Sequence, residues 1–377
     1  MRSRLQRMFD HPPTPKEIDE FIRDNTFPIV EGTNVTFVYR GNVEAVYLKH
    51  WVYGLSSSQA FSRVSGTDLW MTTLEIPKGS RVEYKFEVVH HGHRTWIRDP
   101  FNPHIAYDPF GGNSVCQGAG YETPDWVLND PEAREGTLHE LQIDSEAFGD
   151  TRHFTMYHPA RFRTRRRYPL LIVHDGGDYL HYSSMKTVLD NLIHRNEVAP
   201  MLVAFTHPKK RLNEYPDNLS HSRYIVEELL PFLEGRYRLY PQAARRGLMG
   251  ASFGGVATLS TAWRYPGVFG RLLLQSGSFA FTDIGEHQRG PAFDPVVKFV
   301  NAFREEPGKP SDKVFMSCGM YESLIYENRS IFPLLQDTGM EVMFSEDRDG
   351  HNWMNWRDRL RDALTWLFPG PLWMIYE

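Results

Sequence analysis

The stretch that most constrains the fold runs from Arg246 to Gly255 and reads RGLMGASFGG. A short apolar segment ends there in the pattern Gly-x-Ser-x-Gly, and a helical pattern of apolar residues continues from Val256. This order indicates a strand, a sharp turn and a helix. Glycines beside Ser252 allow the backbone segments to approach closely, and the turn raises the serine hydroxyl above the edge of a sheet. The stretch therefore predicts a nucleophile elbow with Ser252 at its tip.

The composition is that of an ordinary globular protein. The chain has 377 residues, enough for two domains, and 41% of them are hydrophobic and 24% charged. A formal charge of -5 argues against nucleic acid as the main partner. Cys116 and Cys318 are the only cysteines, too few for a disulfide framework or a cysteine-based zinc site.

The sequence also lacks the patterns of membrane and secreted proteins. It has no run of about 18 apolar residues, and no apolar segment follows Arg2, Arg4 and Arg7 as it would in a secretory signal. We therefore expect a cytoplasmic protein with reduced thiols and no membrane partner.

The first part of the chain has the pattern of an antiparallel β-sandwich. One helix is predicted over residues 16–24, where apolar side chains recur at helical spacing. Short segments rich in β-branched and aromatic residues follow, broken by Gly, Pro and Ser. These predicted strands are residues 34–40, 45–48, 69–76 and 81–89. A boundary near Pro124 divides the chain into a predicted domain of residues 1–125 and a second of residues 126–377.

In the second domain strand and helix patterns alternate, as in βαβ units around a mostly parallel sheet. The predicted strands are Leu138 to Ile143, His153 to Tyr157, Leu170 to His174, Met201 to Thr206, Gly247 to Gly250, Arg271 to Gln275, Val314 to Cys318 and Val342 to Glu346. The predicted helices are Met185 to Ile193, Ile225 to Leu233, Phe253 to Ala262, Val296 to Phe303, Ile331 to Leu335 and Arg357 to Leu367. Eight strands with the serine after the fifth are the arrangement of a doubly wound, mostly parallel α/β-hydrolase domain.

A serine hydroxyl is a poor nucleophile at neutral pH and requires a histidine to accept its proton and a carboxylate to orient that histidine. In this fold the acid and then the histidine follow the serine, on loops after later strands. Glu322 follows the seventh strand, and His351 lies in the loop after the eighth. We predict His351 as the base, with His287 as its competitor, and Glu322 as the acid. Asp347 or Asp349 remains an alternative acid from the same loop as His351.

The oxyanion that forms during attack needs backbone N–H donors already in place. One is the N–H of Phe253, and the other is expected from residues 174–179, the loop after the third strand, where paired glycines suit close approach to a substrate. Paired glycines are also typical of a simple turn. Arg211 follows the fourth strand and is predicted to contact an anionic or catecholate group, or else to pair with Glu214.

Two other clusters have simpler structural interpretations. The sequence His90-His91-Gly92-His93 falls between two predicted strands and indicates a hairpin turn rather than a metal site. The arginine run at residues 161–167 precedes the third strand, so it indicates a solvated loop at the end of the sheet away from the active-site edge. We therefore predict no metal site and no cofactor.

Taken together, these residues resemble the enterochelin (ferric enterobactin) esterase family, within the wider class that includes feruloyl esterases and mycolyltransferases. The matching segments of the second domain are VHDGG (173–177), RLNEY (211–215), ELLPF (228–232), GASFGG (250–255), GMYE (319–322) and GHNW (350–353). The first domain resembles that family's early-set, immunoglobulin-like domain through PKGSRVEYKF (77–86) and DPFNP (99–103). The resemblance implies an α/β hydrolase preceded by an all-β, immunoglobulin-like sandwich domain.

The resemblance also implies roles for single residues. Three side chains would act as nucleophile, base and orienting acid: Ser252, His351 and Glu322. The N–H groups of Gly177 and Phe253 would bind the oxyanion, and Asp175 would face the substrate. Many relatives carry aspartate at the position of the acid, so the glutamate of this chain is a departure from the family pattern.

The predicted function is that of a serine esterase that cleaves a carboxylic ester through an acyl-enzyme. The family's known substrate is a cyclic triester of catechol-acylated serine, cleaved in the cytoplasm to release iron, so an iron-loaded siderophore is the expected small-molecule partner. One alternative is a carbohydrate-directed feruloyl or acetyl esterase whose first domain binds glycan. A further alternative is a catalytically silent ligand-binding protein. The fold does not select the ester, and the oligomeric state is left open.

Overall fold

The computed structural model describes residues 13–282 and 289–371, which divide into two units. The β unit consists of the chain up to Thr123 together with Gly319–Ser323 and Asp347–Asn352. The α/β unit consists of Pro124–Cys318, Leu324–Glu346 and the chain from Trp353 onward. Two short segments from late in the sequence therefore belong to the unit that is built mainly from its first third.

The β unit begins with helix α1 (Pro15–Asp24), close to the predicted helix. Thr14 and Glu17 form a capping box at its start, which satisfies backbone N–H groups that have no partner within the helix. Ile18 and Phe21 lie on its buried face.

Ten strands form two antiparallel sheets in this unit. They are β1 (Ile29–Glu31), β2 (Asn34–Arg40), β3 (Ala45–His50), β4 (Ser58–Ala60), β5 (Ser62–Arg63), β6 (Leu69–Glu75), β7 (Arg81–His90), β8 (His93–Ile97), β9 (Ile105–Asp108) and β10 (Gly111–Gln117). One sheet has the order β1-β2-β6-β5, and the other has the order β4-β3-β7-β10-β9 with β8 paired to β7. The four predicted strands are β2, β3, β6 and β7. The strands missed by the sequence are short or lack a clear apolar alternation.

Both sheets bury side chains in one shared core. Phe37 and Trp70 come from the first sheet, and Tyr84 and Phe86 come from the second. The rings of Phe37 and Tyr84 meet edge-on with centroids 4.9 Å apart, and those of Tyr84 and Phe86 are tilted, geometries that aromatic pairs favour. The unit is therefore a β-sandwich, and its immunoglobulin-like topology stays a prediction.

The α/β unit contains the eight predicted strands. They are β11 (Thr137–Ser145), β12 (Asp150–His158), β13 (Leu170–Val173), β14 (Leu202–Thr206), β15 (Arg246–Ala251), β16 (Arg271–Gln275), β17 (Lys313–Gly319) and β18 (Glu341–Asp347). Their order in the sheet is β11-β12-β14-β13-β15-β16-β17-β18. The pairs β11–β12 and β12–β14 are antiparallel, whereas the pairs from β14 through β13, β15 and β16 to β17 are parallel. The predicted mostly parallel eight-stranded sheet is confirmed.

The helices of this unit are α2 (Gly176–Tyr182), α3 (Met185–His194), α4 (Arg211–Glu214), α5 (Leu219–Arg223), α6 (Leu230–Arg236), α7 (Phe253–Arg264), α8 (Asp294–Glu305), α9 (Ile325–Asp337), α10 (Trp353–Asp358) and α11 (Leu360–Leu367). A π-helical segment, Tyr224–Leu229, joins α5 to α6. The last predicted helix is divided into α10 and α11. Helices α2, α4 and α5 were not predicted, because each is shorter than the window in which helical periodicity can be recognised. Among the described residues, no helix is both long and apolar enough to cross a membrane.

Two apolar layers cover the sheet. Leu170 and Ile172 of β13 belong to the core on one face, and Leu171 and Val173 belong to the core on the other. This is why the strand is apolar throughout, as is usual where both faces of a parallel sheet are covered. Helix α7, which follows β15 directly, is buried along most of its length. A buried strand and helix thus hold the turn between them in a fixed position.

Candidate active site

Ser252 occupies the sharp turn between β15 and α7. Its backbone has φ 57° and ψ -123°, a conformation that is costly for a residue with a side chain and that persists only where the surroundings impose it. The Ser252 N–H donates to the carbonyl of Gln275 at 2.9 Å. A Cβ on Gly250 would lie 2.4 Å from the Gly254 backbone, so the turn closes only with glycine there. The structure thus gives Ser252 the strained strand-to-helix turn of a nucleophile elbow.

The hydroxyl of Ser252 has a second serine as its neighbour. Ser252 Oγ and Ser278 Oγ are 3.2 Å apart, and the Ser278 N–H donates to the Ser252 carbonyl at 3.1 Å. Ser278 lies in the loop after β16, the strand adjacent to β15 in the sheet. This contact could not be predicted from the sequence, because it depends on which strands are neighbours in the sheet.

The first predicted oxyanion donor, Phe253, is the first residue of α7. A helix has no internal acceptor for its first N–H groups. In the part of the chain that the structure describes, no group accepts a hydrogen bond from the Phe253 N–H. This donor is therefore free to bind a developing negative charge, which the positive end of the helix dipole also favours.

The N–H of Gly177, the second predicted donor, already donates a hydrogen bond within the protein. Its N–H donates to His207 Nδ1 at 3.1 Å. His207 Nε2 lies 2.9 Å from Thr155 Oγ1, which donates to Glu140 Oε1 at 2.7 Å. These contacts give His207 the tautomer with its proton on Nε2, and burial lowers the pKa of its imidazole. Another acceptor would therefore have to displace His207 from the Gly177 N–H or share it.

The loop that carries Gly177 is packed tightly against β14. A Cβ on Gly176 would lie 2.4 Å from atoms of Phe205, so glycine is required by close packing. The paired glycines are therefore part of the start of α2 rather than a simple turn. His174, the first residue of the loop, donates through Nδ1 to the Met249 carbonyl at 2.8 Å. Burial lowers the pKa of His174 to about 4.

Asp175 and Arg211 form a bidentate ion pair beside the elbow. Arg211 Nε lies 2.9 Å from both carboxylate oxygens of Asp175, and Nη2 donates to Oδ2 at 2.8 Å. Nη2 also lies 3.3 Å from the carbonyl of Ala251, the residue before the serine. Burial raises the pKa of Asp175, and the Arg211 charge opposes this shift. The pair links the loop before α2 to the end of β15.

This pair corrects two of the expectations. The alternative pairing of Arg211 with Glu214 is wrong, because Glu214 binds Arg152 at 2.9 Å and accepts from the backbone of the preceding loop. The Asp175 side chain is only 1% exposed, so its carboxylate is directed at Arg211 and not at solvent. Arg211 itself is 31% exposed and is the member of the pair that can meet a ligand.

Glu322 and His351 meet within the β unit. Glu322 Oε2 lies 2.5 Å from His351 Nδ1, and Oε1 accepts from the Gly319 N–H at 2.6 Å. The Glu322 side chain is 2% exposed, whereas that of His351 is 36% exposed. A carboxylate on Nδ1 favours the imidazole tautomer that has its proton on Nδ1 and none on Nε2. His287, the competing histidine, lies outside the described residues.

The carboxylate of Asp349, one of the alternative acids, accepts hydrogen bonds from three other residues. Its carboxylate accepts from Arg81 Nη1 at 2.9 Å, from the Gly350 N–H at 2.7 Å and from Asn352 Nδ2 at 2.8 Å. Burial raises the pKa of Asp349 to about 6 against the opposing charge of Arg81. Asp347 contributes its backbone carbonyl to the N–H groups of Met320 and Asp349.

The two clusters set aside in the sequence have the expected local structure. His90 and His93 are paired across the turn between β7 and β8, with His91 and Gly92 at its tip in left-handed conformations. In the described ranges, no three His, Cys, Asp or Glu side chains are grouped so that they could hold a metal ion. The arginine run lies between β12 and β13, where four of its side chains line a cavity of about 660 Å³: Arg161, Arg163, Arg165 and Arg166.

A mixed eight-stranded sheet with a serine at a strained turn after its fifth strand defines an α/β hydrolase. The family model Esterase, described as "Putative esterase", matches residues 145–367. The chain belongs to this family of esterases.

The chain is also similar to known esterases in sequence and in fold. The iron(III) enterobactin esterase of Escherichia coli strain K12 is 24% identical over 368 residues, which cover 88% of this chain and 90% of that protein. The crystal structure of the ferric enterobactin esterase from Salmonella typhimurium has a TM-score of 0.77 at 20% identity and covers 93% of this chain and 98% of its own. A ferulic acid esterase from Anaeromyces mucronatus in complex with ferulic acid has a TM-score of 0.52 at 15% identity, covering 64% of this chain and 94% of its own.

Proposed function

We propose that this protein is a serine esterase in which Ser252 is the nucleophile, His351 the general base and Glu322 the acid that orients it. The observation that carries the proposal is the 2.5 Å hydrogen bond between Glu322 and His351 Nδ1, because it selects Nε2 as the proton acceptor. The strained turn at Ser252 supports the same assignment, since such strain is kept where function requires it.

The reaction proceeds in two steps. Ser252 Oγ attacks the ester carbonyl carbon while His351 Nε2 accepts the hydroxyl proton, and the carbonyl oxygen becomes an oxyanion. When this tetrahedral intermediate collapses, His351 returns the proton to the departing alcohol and an acyl-enzyme remains. Water then attacks the acyl carbon while His351 accepts a proton from it, and His351 returns this proton to Ser252 Oγ as the bond between Oγ and the acyl carbon breaks and the acid leaves.

The N–H groups of Phe253 and Gly177 are the proposed oxyanion donors. Among the described residues the Phe253 N–H has no acceptor, whereas the Gly177 N–H donates to His207 Nδ1. We infer that the oxyanion replaces His207 at Gly177, because a charged acceptor forms the stronger hydrogen bond. Loss of a single oxyanion donor typically reduces kcat by about 100-fold to 1,000-fold.

The proposed substrate is a ferric siderophore of the enterobactin type, a cyclic triester whose cleavage in the cytoplasm releases iron. The similarity to the Escherichia coli enterobactin esterase extends over 88% of this chain and therefore exceeds the span of the α/β unit. Arg211 offers a partly exposed guanidinium beside the elbow, and Asp175 contributes by fixing its orientation. A fixed guanidinium suits an anionic catecholate complex.

A second candidate is an esterase that releases feruloyl or acetyl groups from sugars. The fold shared with the ferulic acid esterase favours it for the α/β unit, but that likeness covers only 64% of this chain. A catalytically silent binding protein is the third candidate. It is opposed by the strained serine turn and by the buried Glu322 beside His351, neither of which ligand binding alone requires.

The deciding experiment gives the purified protein either ferric enterobactin or a panel of feruloyl and acetyl sugar esters and follows the products by mass spectrometry. Ser252→Ala is the matched control. We expect cleavage of the siderophore and its loss in the variant. Turnover of sugar esters alone keeps the serine mechanism but replaces the substrate. Equal turnover by the variant and the wild type refutes the serine mechanism.

A further inference from the structure

The loop that contains His351 is bound by an arginine at the start of strand β7 of the β-sandwich. Arg81, the first residue of β7, donates through Nη1 to both carboxylate oxygens of Asp349 and to Asn352 Oδ1, each at 2.9 Å. Its backbone N–H donates to the Arg348 carbonyl, also at 2.9 Å. Arg81 thus contacts the residues on both sides of His351.

The cluster is buried, and its single guanidinium is bound by two carboxylates. The Arg81 side chain is 1% exposed, and its Nη2 donates to Glu83 Oε1 at 2.7 Å. Burial by itself disfavours the guanidinium, but the Asp349 and Glu83 carboxylates more than compensate and raise the pKa of Arg81. Arginine is suited to this position, because its planar fork can bind several oxygens at once in fixed directions.

The loop that contains Glu322 is bound in the same unit. The Tyr53 N–H donates to the Tyr321 carbonyl at 2.7 Å, and the Tyr321 hydroxyl lies 2.6 Å from Ser80 Oγ. The Tyr321 N–H donates to the Asp349 carbonyl at 3.0 Å. Both loops are therefore connected to each other and to the residue that precedes Arg81.

We propose that Arg81 is a positioning residue for catalysis, which sets the orientation of His351 relative to Glu322 by holding Asp349 and Asn352. This inference rests on the proposed function, because it gives His351 the role of base. In this proposal the β-sandwich positions the catalytic side chains, in addition to any contact that it makes with substrate. Displacements of about 1 Å in a catalytic group can cost about 100-fold in rate, so a support of this kind has a measurable effect.

The test compares full-length wild type with Arg81→Lys, which keeps the charge but not the fork. Hydrolysis of 4-nitrophenyl butyrate gives kcat and KM, and proton NMR detects the low-field resonance of the His351 Nδ1–H bound to Glu322. We expect kcat to fall by about 100-fold with KM changed by less than about threefold, and the low-field resonance to broaden or disappear. Wild-type kcat together with an unchanged resonance overturns the inference.

Glu87→Gln is the matched control, because Glu87 is a buried carboxylate on the same strand that binds Arg94 and Trp96 instead of the His351 loop. It is expected to keep both kcat and the resonance. An equal loss of kcat in Glu87→Gln and Arg81→Lys indicates general destabilisation and also overturns the inference.

A double variant tests the same inference if the single variant Arg81→Lys does not fold. Arg81→Gln with Asp349→Asn removes the charges of Arg81 and Asp349 together, so the Asp349 charge is not left buried without Arg81. The Glu83 side chain, which is 10% exposed, keeps its hydrogen bond from Asn113 Nδ2. It is expected to fold and to show the same loss of kcat, and full activity in it refutes the role of Arg81. Ser252→Ala, measured beside it, separates the two proposals. Turnover by Ser252→Ala refutes the proposed function. An inactive Ser252→Ala together with a fully active Arg81→Lys refutes only this inference.

Discussion

Arg211 binds a buried carboxylate and at the same time remains partly exposed. It neutralises a buried carboxylate, that of Asp175, and it keeps 31% of its own side chain exposed. The bidentate contact holds the loop that leads to Gly177, and the contact with the Ala251 carbonyl reaches the residue before Ser252. The orientation of this one guanidinium therefore affects both the loop of the proposed oxyanion donor and the elbow.

At the scale of this residue we predict that Arg211→Lys reduces kcat/KM for 4-nitrophenyl butyrate by about tenfold or more. Lysine keeps the positive charge but cannot bind both oxygens of Asp175 in a fixed plane. Steady-state kinetics measures the effect. The control is Arg264→Lys, because Arg264 pairs with Asp217 in the same unit with similar exposure. Equal activity of Arg211→Lys and wild type contradicts the prediction.

The strand, turn and helix formed by β15 and α7 act as one element. Its geometry depends on the close approach of Gly250 to Gly254, where a methyl group would lie 2.4 Å from backbone atoms. Backbone cannot move aside as the end of a flexible side chain can. The position of Ser252 is therefore set by the whole element and not by the serine alone.

At this scale we predict that Gly250→Ala lowers the free energy of unfolding by about 1–3 kcal/mol or more, and that it lowers esterase activity because the turn has to open. Chemical denaturation and steady-state kinetics measure the two effects. Gly235→Ala is the matched control, since nothing lies within 4 Å of its added methyl group and alanine favours the helix in which it lies. Unchanged stability in Gly250→Ala rules out the steric argument.

At the scale of the whole molecule, the chain leaves the α/β unit twice to contribute short segments to the β unit, Gly319–Ser323 and Asp347–Asn352. These segments carry Glu322 and His351, whereas Ser252 belongs to the α/β unit. Under the proposed function, the catalytic groups are thus supported by different parts of the chain.

We therefore predict that a chain beginning at Pro124 loses at least about 100-fold in kcat/KM, because the two segments then lack the residues that hold them. Circular dichroism establishes whether the shortened chain keeps its helices, and hydrolysis of 4-nitrophenyl butyrate gives the activity. A folded, soluble product with the kcat/KM of the full chain disproves the prediction.

Features that depend on residues close together in the chain could be predicted from the sequence. The eight strands of the α/β unit follow from apolar segments of suitable length, and the turn at Ser252 follows from its flanking glycines and the helical pattern after it. The resemblance to known esterases added Gly177 and Asp175, and the matching family model bears out the family itself.

Contacts between side chains that are distant in the sequence depend on how separate elements pack. Glu322 is brought to His351 over 29 positions, Asp175 to Arg211 over 36, and Arg81 to Asp349 over 268. Periodicity and turn patterns report the backbone within a few residues. Buried polar groups, by contrast, take whichever partners the packing of separate elements provides. That is why the engagement of Gly177 by His207 and the support of the His351 loop by Arg81 had no signal in the sequence.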